Sequence, residues 1–577
     1  MRSQARLISL VAGLAASLDF AAPVPKTVAE FEVLREPVVL SDATILAIGI
    51  RSRDGGQEVT ARVSRDEGLS WSSSRDLFPL PRAEGRFGYF RAMVDKDGEV
   101  HIFLLCLPPP SGSSTGGRAQ ERLDIWHAKS RAALSAWNPP HRIWSGRAGD
   151  LLSAIQLTSG RILLPISYRT DRSWSNRGPG FDAFTYMGSF ASGMLYSDDK
   201  GETWRQSPSV LRIPTPALSA IGGVEPVILQ LKDGRVWMLI RSQMGRFYES
   251  FSSDGAIWAE PEPASIASSE SPAGLIRLKD GRILLLVNSC ERFPYAYGGR
   301  HVLHGAISDN EGRTWHGYRE VVRDPLRNQP PPLRGDFGVA YPFPALTQNG
   351  KVIFSLGVTS GTRSQHPEES NQASQNEKRA ILLLDPAWLD ETTQQTDFSH
   401  GLDDWSTFGT RGVALVPKPG TAGSGALKIS KPDAAWPTGA VWNFPAGQSG
   451  KLSLRLRLTP GFRGALLGLT DHFSVPWDSE DRFFNVFNLE LKAAQDSAPA
   501  EKLAPDRWHA LELDWNCEKR ECRVRIDGRD YQTLLQQRTP QSQGLCYLRL
   551  RSTAQRTDPA GMLLGSVAVD VSRRQSH

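Results

Sequence analysis

Short apolar runs separated by glycine turns recur along the first two thirds of the chain, most completely in GGVEPVILQLKDGRVWMLIRSQMGRFYESFSSDGAIW at residues 222 to 258. Val224 to Leu231 reads as a strand, Asp233-Gly234 as the positive-φ turn of a tight hairpin, and Val236 to Ile240 as the returning strand. A third strand follows at Phe247 to Ser250, and Ser252 to Trp258 makes a second turn that ends in tryptophan. The hairpin signal recurs at Asp97-Gly98, Ser159-Gly160, Asp280-Gly281 and Asn349-Gly350, with a weaker form at Ser41-Asp42. The second turn alternates with it, as SRDEGLSW at 64 to 71, SDDKGETW at 197 to 204 and SDNEGRTW at 308 to 315. SRAALSAW at 130 to 137 keeps only the ends of that pattern, and the sixth copy lacks it, ending in RAILLLDPAWL. Ser and Asp side chains in such a turn accept backbone N–H bonds, Gly takes the left-handed conformation, and Trp packs between sheets. Four-stranded units that cannot bury both faces alone predict a β-propeller of six blades over residues 27–390.

Beyond Asp397 the pattern becomes plain alternation, in KLSLRLRL at 451 to 458, WHALELDW at 508 to 515 and CRVRIDG at 522 to 528. Period-two segments without the hairpin-and-tryptophan repeat predict a separate β-sandwich over 396–573. The chain is thus all-β, a six-bladed propeller followed by a sandwich. At the other end, Arg2 and Arg6 precede an apolar run from Leu7 to Leu18 and then small residues and prolines, the form of a signal peptide over residues 1–24. That run is too short to span a bilayer, so a secreted or periplasmic protein is expected, with no membrane insertion. A net charge of +5 over 577 residues gives no argument for nucleic acid. The five cysteines are an odd number. Cys517 and Cys522 bracket a hairpin and are either a disulfide or two thiols on opposite strands, while Cys106 and Cys290 lie in apolar strands as core residues. The polar stretch at 361–378 reads as a surface loop.

Both kinds of turn lie on one face of the disc and are short. The other face carries the loops joining second to third strands and blade to blade, among them 108–121, 168–190, 205–222, 291–301 and 316–338. Variable loops on a rigid scaffold are the usual carriers of function, which puts the pocket on that face, at the axis. Polar residues that interrupt the apolar strands at this rim are Arg35, Arg51, Arg53 and Asp54 in blade one, Glu225 and Arg241 in blade four, Arg300 in blade five and Tyr341 in blade six. Arg292 is the other arginine of blade five able to fill the place of Arg300. Glu225 and Arg241 occupy the two ends of one hairpin, so they are expected to meet.

These turns and rim residues resemble the sialidase (neuraminidase) superfamily, whose repeated turns are called Asp boxes; the resemblance covers about residues 27 to 390. It implies that Arg35, Arg241 and Arg300 bind a substrate carboxylate; Arg51, at the same rim, is a further expected substrate-binding residue. It further implies that Tyr341 is a nucleophile activated by Glu225, and that Asp54 is the acid/base. Where the superfamily usually carries Arg-Ile-Pro, this chain has Arg35-Glu36-Pro37. The sandwich resembles concanavalin-type or laminin-G-like domains, which implies carbohydrate contact; support of the propeller is the other reading.

The chemistry is coherent without the resemblance. Guanidinium forks meet a carboxylate bidentately, so several together select an anionic sugar. A phenol is a weak nucleophile near neutral pH and needs a carboxylate base beside it. Tyrosine in this role is a known exception to the two-carboxylate pattern of glycosidases. No His/Cys cluster has zinc spacing, no glycine-rich phosphate loop follows a strand, and no Gly-x-Ser-x-Gly elbow occurs, so neither metal nor cofactor is expected. The expected function is retaining hydrolysis of a terminal acidic sugar, sialic acid first, on an acidic glycan. The alternatives are a lyase or hydrolase of uronate-containing polysaccharide and a non-catalytic carbohydrate-binding protein.

Overall fold

A computed structural model describes residues 26–31, 35–53, 55–109, 122–131, 134, 136–170, 189–215, 221–290, 299–325, 327–328, 338–359, 377–407, 411–421, 424–474, 480–492 and 503–572. Asp54, Arg292 and most of the polar stretch at 361–378 lie outside them, as do residues 1–25, where the signal peptide is expected.

Six antiparallel sheets of four main strands succeed one another along the chain. Blade one is Glu36–Val39, Ile45–Arg53, Gly56–Ser64 and Arg75–Pro79; blade four is Val224–Gln230, Val236–Arg241, Arg246–Ser252 and Glu262–Ala267. Blade two is Arg86–Val94, Val100–Leu107, Asp124–Arg131 and His141–Trp144, with one additional short strand, Ala136–Trp137. Blade three is Ile155–Gln156, Ile162–Arg169, Phe190–Ser197 and Arg205–Gln206, and blade five is Gly274–Arg277, Ile283–Val287, Val302–Ser308 and His316–Arg323. Blade six comprises Val339–Leu346, Val352–Thr359 and Glu377–Leu384, and its outermost strand is Lys26–Phe31 from the start of the chain. That closure explains why the sixth copy has no Ser-to-Trp turn: its fourth strand arrives from elsewhere, so no turn is needed. Apolar side chains fill the space between blades, as where Met93, Phe103 and Leu105 of blade two meet Leu151, Ile162 and Leu164 of blade three.

The Ser-to-Trp turns are built alike. In the second, Ser197 Oγ accepts the Gly201 N–H at 2.8 Å, Asp199 Oδ1 accepts the Thr203 N–H at 2.8 Å, and Trp204 Nε1 donates to Gly201 O at 3.1 Å. Lys200 and Gly201 are both left-handed, with φ of 59° and 87°. Where Asn310 replaces the aspartate, its Oδ1 still accepts the Thr314 N–H at 2.9 Å. Hairpin turns touch the Ser-to-Trp turns of the following blade, as in Asp97 with Lys200 at 2.6 Å, Lys232 N–H with Glu311 at 2.8 Å and, across the closure, Asn349 N–H with Glu67 at 3.1 Å. Both sets of turns therefore share one face of the disc.

The C-terminal domain stacks an eight-stranded sheet on a five-stranded one. The strand Ser449–Leu458 shows why the alternation matters: Leu452, Leu454, Leu456 and Leu458 face a core that also holds Trp405, Trp442 and Trp515. The sandwich docks on blade five. Asn443 Nδ2 donates to Tyr318 O at 3.1 Å, and its Oδ1 accepts the Glu320 N–H at 2.9 Å. Tyr547 donates to Glu320 Oε1 at 2.8 Å and sits 2.5 Å from His304 Nε2. All five cysteines are buried. Cys522 lies opposite Trp515 in the register, whereas Cys517 falls in the turn beyond the strand end, so the two do not face each other.

Candidate active site

Two first strands are bulged at the rim opposite the turns. In blade four the pairing passes from Val224 to Val227, and in blade six from Ala340 to Phe343. The displaced residues are Glu225 and Tyr341, with φ of 50° and 60°. Each precedes a proline, which has no N–H to lose from the ladder. Left-handed backbone at a non-glycine residue costs about 1–3 kcal/mol and persists only where the surroundings impose it. Here it frees both side chains from their sheets, and Tyr341 Oη donates to Glu225 Oε1 at 3.1 Å. Blades four and six are not neighbours, so this bond crosses the mouth of the central channel.

Arg241 ties the pair together. It stands opposite Val224 in the hairpin, and its Nη1 lies 2.5 Å from Glu225 Oε2 and 3.1 Å from Tyr341 Oη. Its Nη2 reaches Glu270 Oε1 at 3.4 Å. Arg300 donates to Glu270 O at 3.2 Å, and its guanidinium carbon lies 5.1 Å from the centre of the Tyr341 ring. Burial works against the charge of Arg241, yet Glu225, Tyr341 and Glu270 together hold its pKa above the ordinary arginine value. Burial, then the charge of Glu225, pushes the Tyr341 phenol well above the usual tyrosine range against the pull of Arg241 and Arg300. The phenol therefore holds its proton at neutral pH, with the Glu225 carboxyl in contact.

Glu225, Arg241, Arg300 and Tyr341 thus meet in one pocket. The Arg35 guanidinium donates to Ala47 O at 3.1 Å, Thr60 Oγ1 at 3.5 Å and Ser74 Oγ at 3.4 Å. Glu36 is fully buried and accepts the Ala92 N–H at 3.0 Å and Arg91 at 3.4 Å. Burial and then the charges of Arg62 and Arg51 lower the Arg35 pKa to about 10. Arg51 pairs with Glu58 at 3.2 Å and with Asp76. Asp54 lies outside the described residues.

Two further residues belong to the pocket. Glu270 receives Arg241. Asp150, at the entry to blade three, lies close enough to Glu225, Arg241, Arg300 and Tyr341 to feel their charges. Counting back from the hairpin turns finds Asp150: it stands nine positions before Ser159, while Glu225 and Tyr341 stand eight before Asp233 and Asn349. Glu270, three residues ahead of a short first strand, has no such marker. Among the described residues no group of His, Cys, Asp and Glu is placed to hold a metal ion.

Solved structures similar to this chain include a sialidase from Trypanosoma rangeli, at 13% identity over 94% of this chain and 92% of that one, TM-score 0.40. A protein of unknown function from Dyadobacter fermentans is 16% identical over 63% of this chain and all of that one, TM-score 0.43. The NanB sialidase from Streptococcus pneumoniae is 12% identical over 63% and 71%, TM-score 0.43. A comparison with curated protein sequences returns no match. The BNR repeat-like domain, by contrast, matches residues 43–354, more than half the chain. With the turns built as described and the repeat matched over that length, the chain belongs to the BNR repeat-like domain family.

Proposed function

We propose that this protein is a retaining exo-glycosidase of the sialidase type, acting on a terminal acidic sugar, with sialic acid the first choice. The observation that carries this reading is the Tyr341–Glu225–Arg241 contact, in which a phenol donates to a carboxylate at 3.1 Å and one guanidinium touches both. Tyr341 Oη attacks the anomeric carbon as its proton passes to Glu225, and Arg241 offsets the negative charge that develops on the phenolate. Arg300, above the ring, and Arg241 are the cations that draw the sugar carboxylate into the pocket. An unionised phenol avoids the repulsion that a carboxylate nucleophile would feel from an anionic substrate. The N-terminal apolar leader supports export, where acidic glycans of cell surfaces and secretions are met.

Hydrolysis of a chromogenic sialoside tests this directly. Tyr341→Phe is expected to lose at least about 10³-fold in kcat with its thermal unfolding unchanged, and undiminished turnover would remove the assignment. A lyase acting on a uronate-containing polysaccharide is the second reading, since Arg241 and Arg300 also suit a uronate carboxylate. Release of an unsaturated, ultraviolet-absorbing product from a uronate polysaccharide would select that lyase reading over hydrolysis.

A further inference from the structure

Asp150 stands apart from the other charged groups of the pocket. Glu225 and Glu270 both accept from Arg241, and Arg300 donates to Glu270 O. The Asp150 carboxyl makes no hydrogen bond or ion pair among the described residues. Its backbone is nevertheless fixed. The Gly149 N–H donates to Ser167 O at 2.8 Å, and a Cβ on Gly149 would come within 2.3 Å of Ser167 Oγ, so only glycine permits this approach. Ser167 Oγ in turn accepts the Glu225 N–H at 3.2 Å. One serine thus pins the blade-three entry beside the blade-four entry, with the unbonded carboxyl next to the Glu225–Arg241 pair. Blades three and six are opposite one another in a ring of six, which sets Asp150 across the channel from Tyr341.

We propose that Asp150 is the general acid/base of this pocket, an inference that rests on the retaining reading above. In the first step the Tyr341 Oη–anomeric carbon bond forms, the phenol proton goes to Glu225, and the bond to the leaving oxygen breaks as that oxygen takes the proton of Asp150. In the second, water attacks the anomeric carbon, its proton passes to Asp150, and the Tyr341 oxygen leaves and recovers its proton from Glu225. Protons and electron pairs balance, and both carboxyls return to their starting states.

The surroundings suit the role. Burial first, and the negative charge of Glu225 second, lift the Asp150 carboxyl to about 7, against the pull of Arg241 and Arg300. An acid with that value is half protonated at neutral pH, where proton donation is most efficient. An acidic sugar adds another negative charge to a pocket that already holds Glu225 and Glu270, so its binding favours the protonated form of Asp150. The substrate thereby promotes the state that the first step requires.

Leaving-group dependence separates a proton donor from a residue that merely shapes the pocket. Asp150→Asn should lose about 10²–10⁴-fold in kcat/KM on a sialoside with an alkyl aglycone, which needs protonation. On an aryl sialoside, whose phenolate leaves unaided, the same variant should lose less than about tenfold in the first step. Circular dichroism and thermal unfolding of the variant verify its fold. Equal losses on the two substrates overturn the inference while leaving Tyr341 as nucleophile. The same selective loss in Asp54→Asn, with none in Asp150→Asn, also overturns it. A wild-type protein inert to both substrates removes the retaining reading and the inference with it.

Discussion

At the scale of single residues, the pocket is made by polar side chains that interrupt strands otherwise committed to the core. This is why Glu225, Arg241, Arg300 and Tyr341 were legible in the sequence. Asp150 was less so, because blade three opens with a bent segment and its first strand is only Ile155–Gln156, leaving the residue outside any alternation that would draw notice. Asp150 also yields a stability prediction. Its carboxyl ionises near 3.8 when unfolded and near 7 when folded. Between those values the folded chain holds a proton that the unfolded chain has lost, so its contribution to stability falls as pH rises through that window. Asparagine is neutral throughout. The unfolding temperature of Asp150→Asn relative to wild type is therefore expected to climb between about pH 4 and pH 8, and a flat difference would contradict the environment assigned to the carboxyl.

At the scale of elements, the Ser-to-Trp turns were legible because each is local: Ser, Asp, Gly and Trp fall within eight residues and bond mostly to one another. Ser197→Ala would strand the buried Gly201 N–H, at a cost of about 1–3 kcal/mol in chemical denaturation; a loss near zero would mean that the hydroxyl is replaceable. The ring closure was not legible. Lys26–Phe31 pairs with Glu377–Leu384 from the far end of the propeller, and no short-range pattern announces a partner so remote. Deleting residues 26–31 uncovers the edge of blade six, a row of unpaired N–H and C=O groups. The shortened chain is expected to unfold at lower temperature and to scatter light on heating, and a melting profile like that of the full chain would mean that the closure contributes nothing.

At the scale of the whole molecule, both domains could be read from their periodicities, but their docking could not. The contact depends on side chains far apart in sequence: Asn443 and Tyr547 from the sandwich, His304 and Glu320 from blade five. Burial lowers the His304 pKa to about 4 despite the nearby charge of Glu320. The unfolded chain, with histidine near 6.5, binds a proton that the folded chain refuses, so stability should decline as pH falls from about 6.5 toward 4. Tyr547→Phe removes the donor to Glu320 and should cost about 1–3 kcal/mol, read as an earlier transition by calorimetry. The account as a whole turns on Tyr341, and the most direct measurement is mass spectrometry of the protein after reaction with a fluorinated acidic sugar that forms a glycosyl-enzyme but releases it slowly. The account predicts one added sugar on the peptide containing Tyr341 and none in Tyr341→Phe. An adduct on Glu225 or Asp150, or turnover without an adduct on Tyr341, would contradict it.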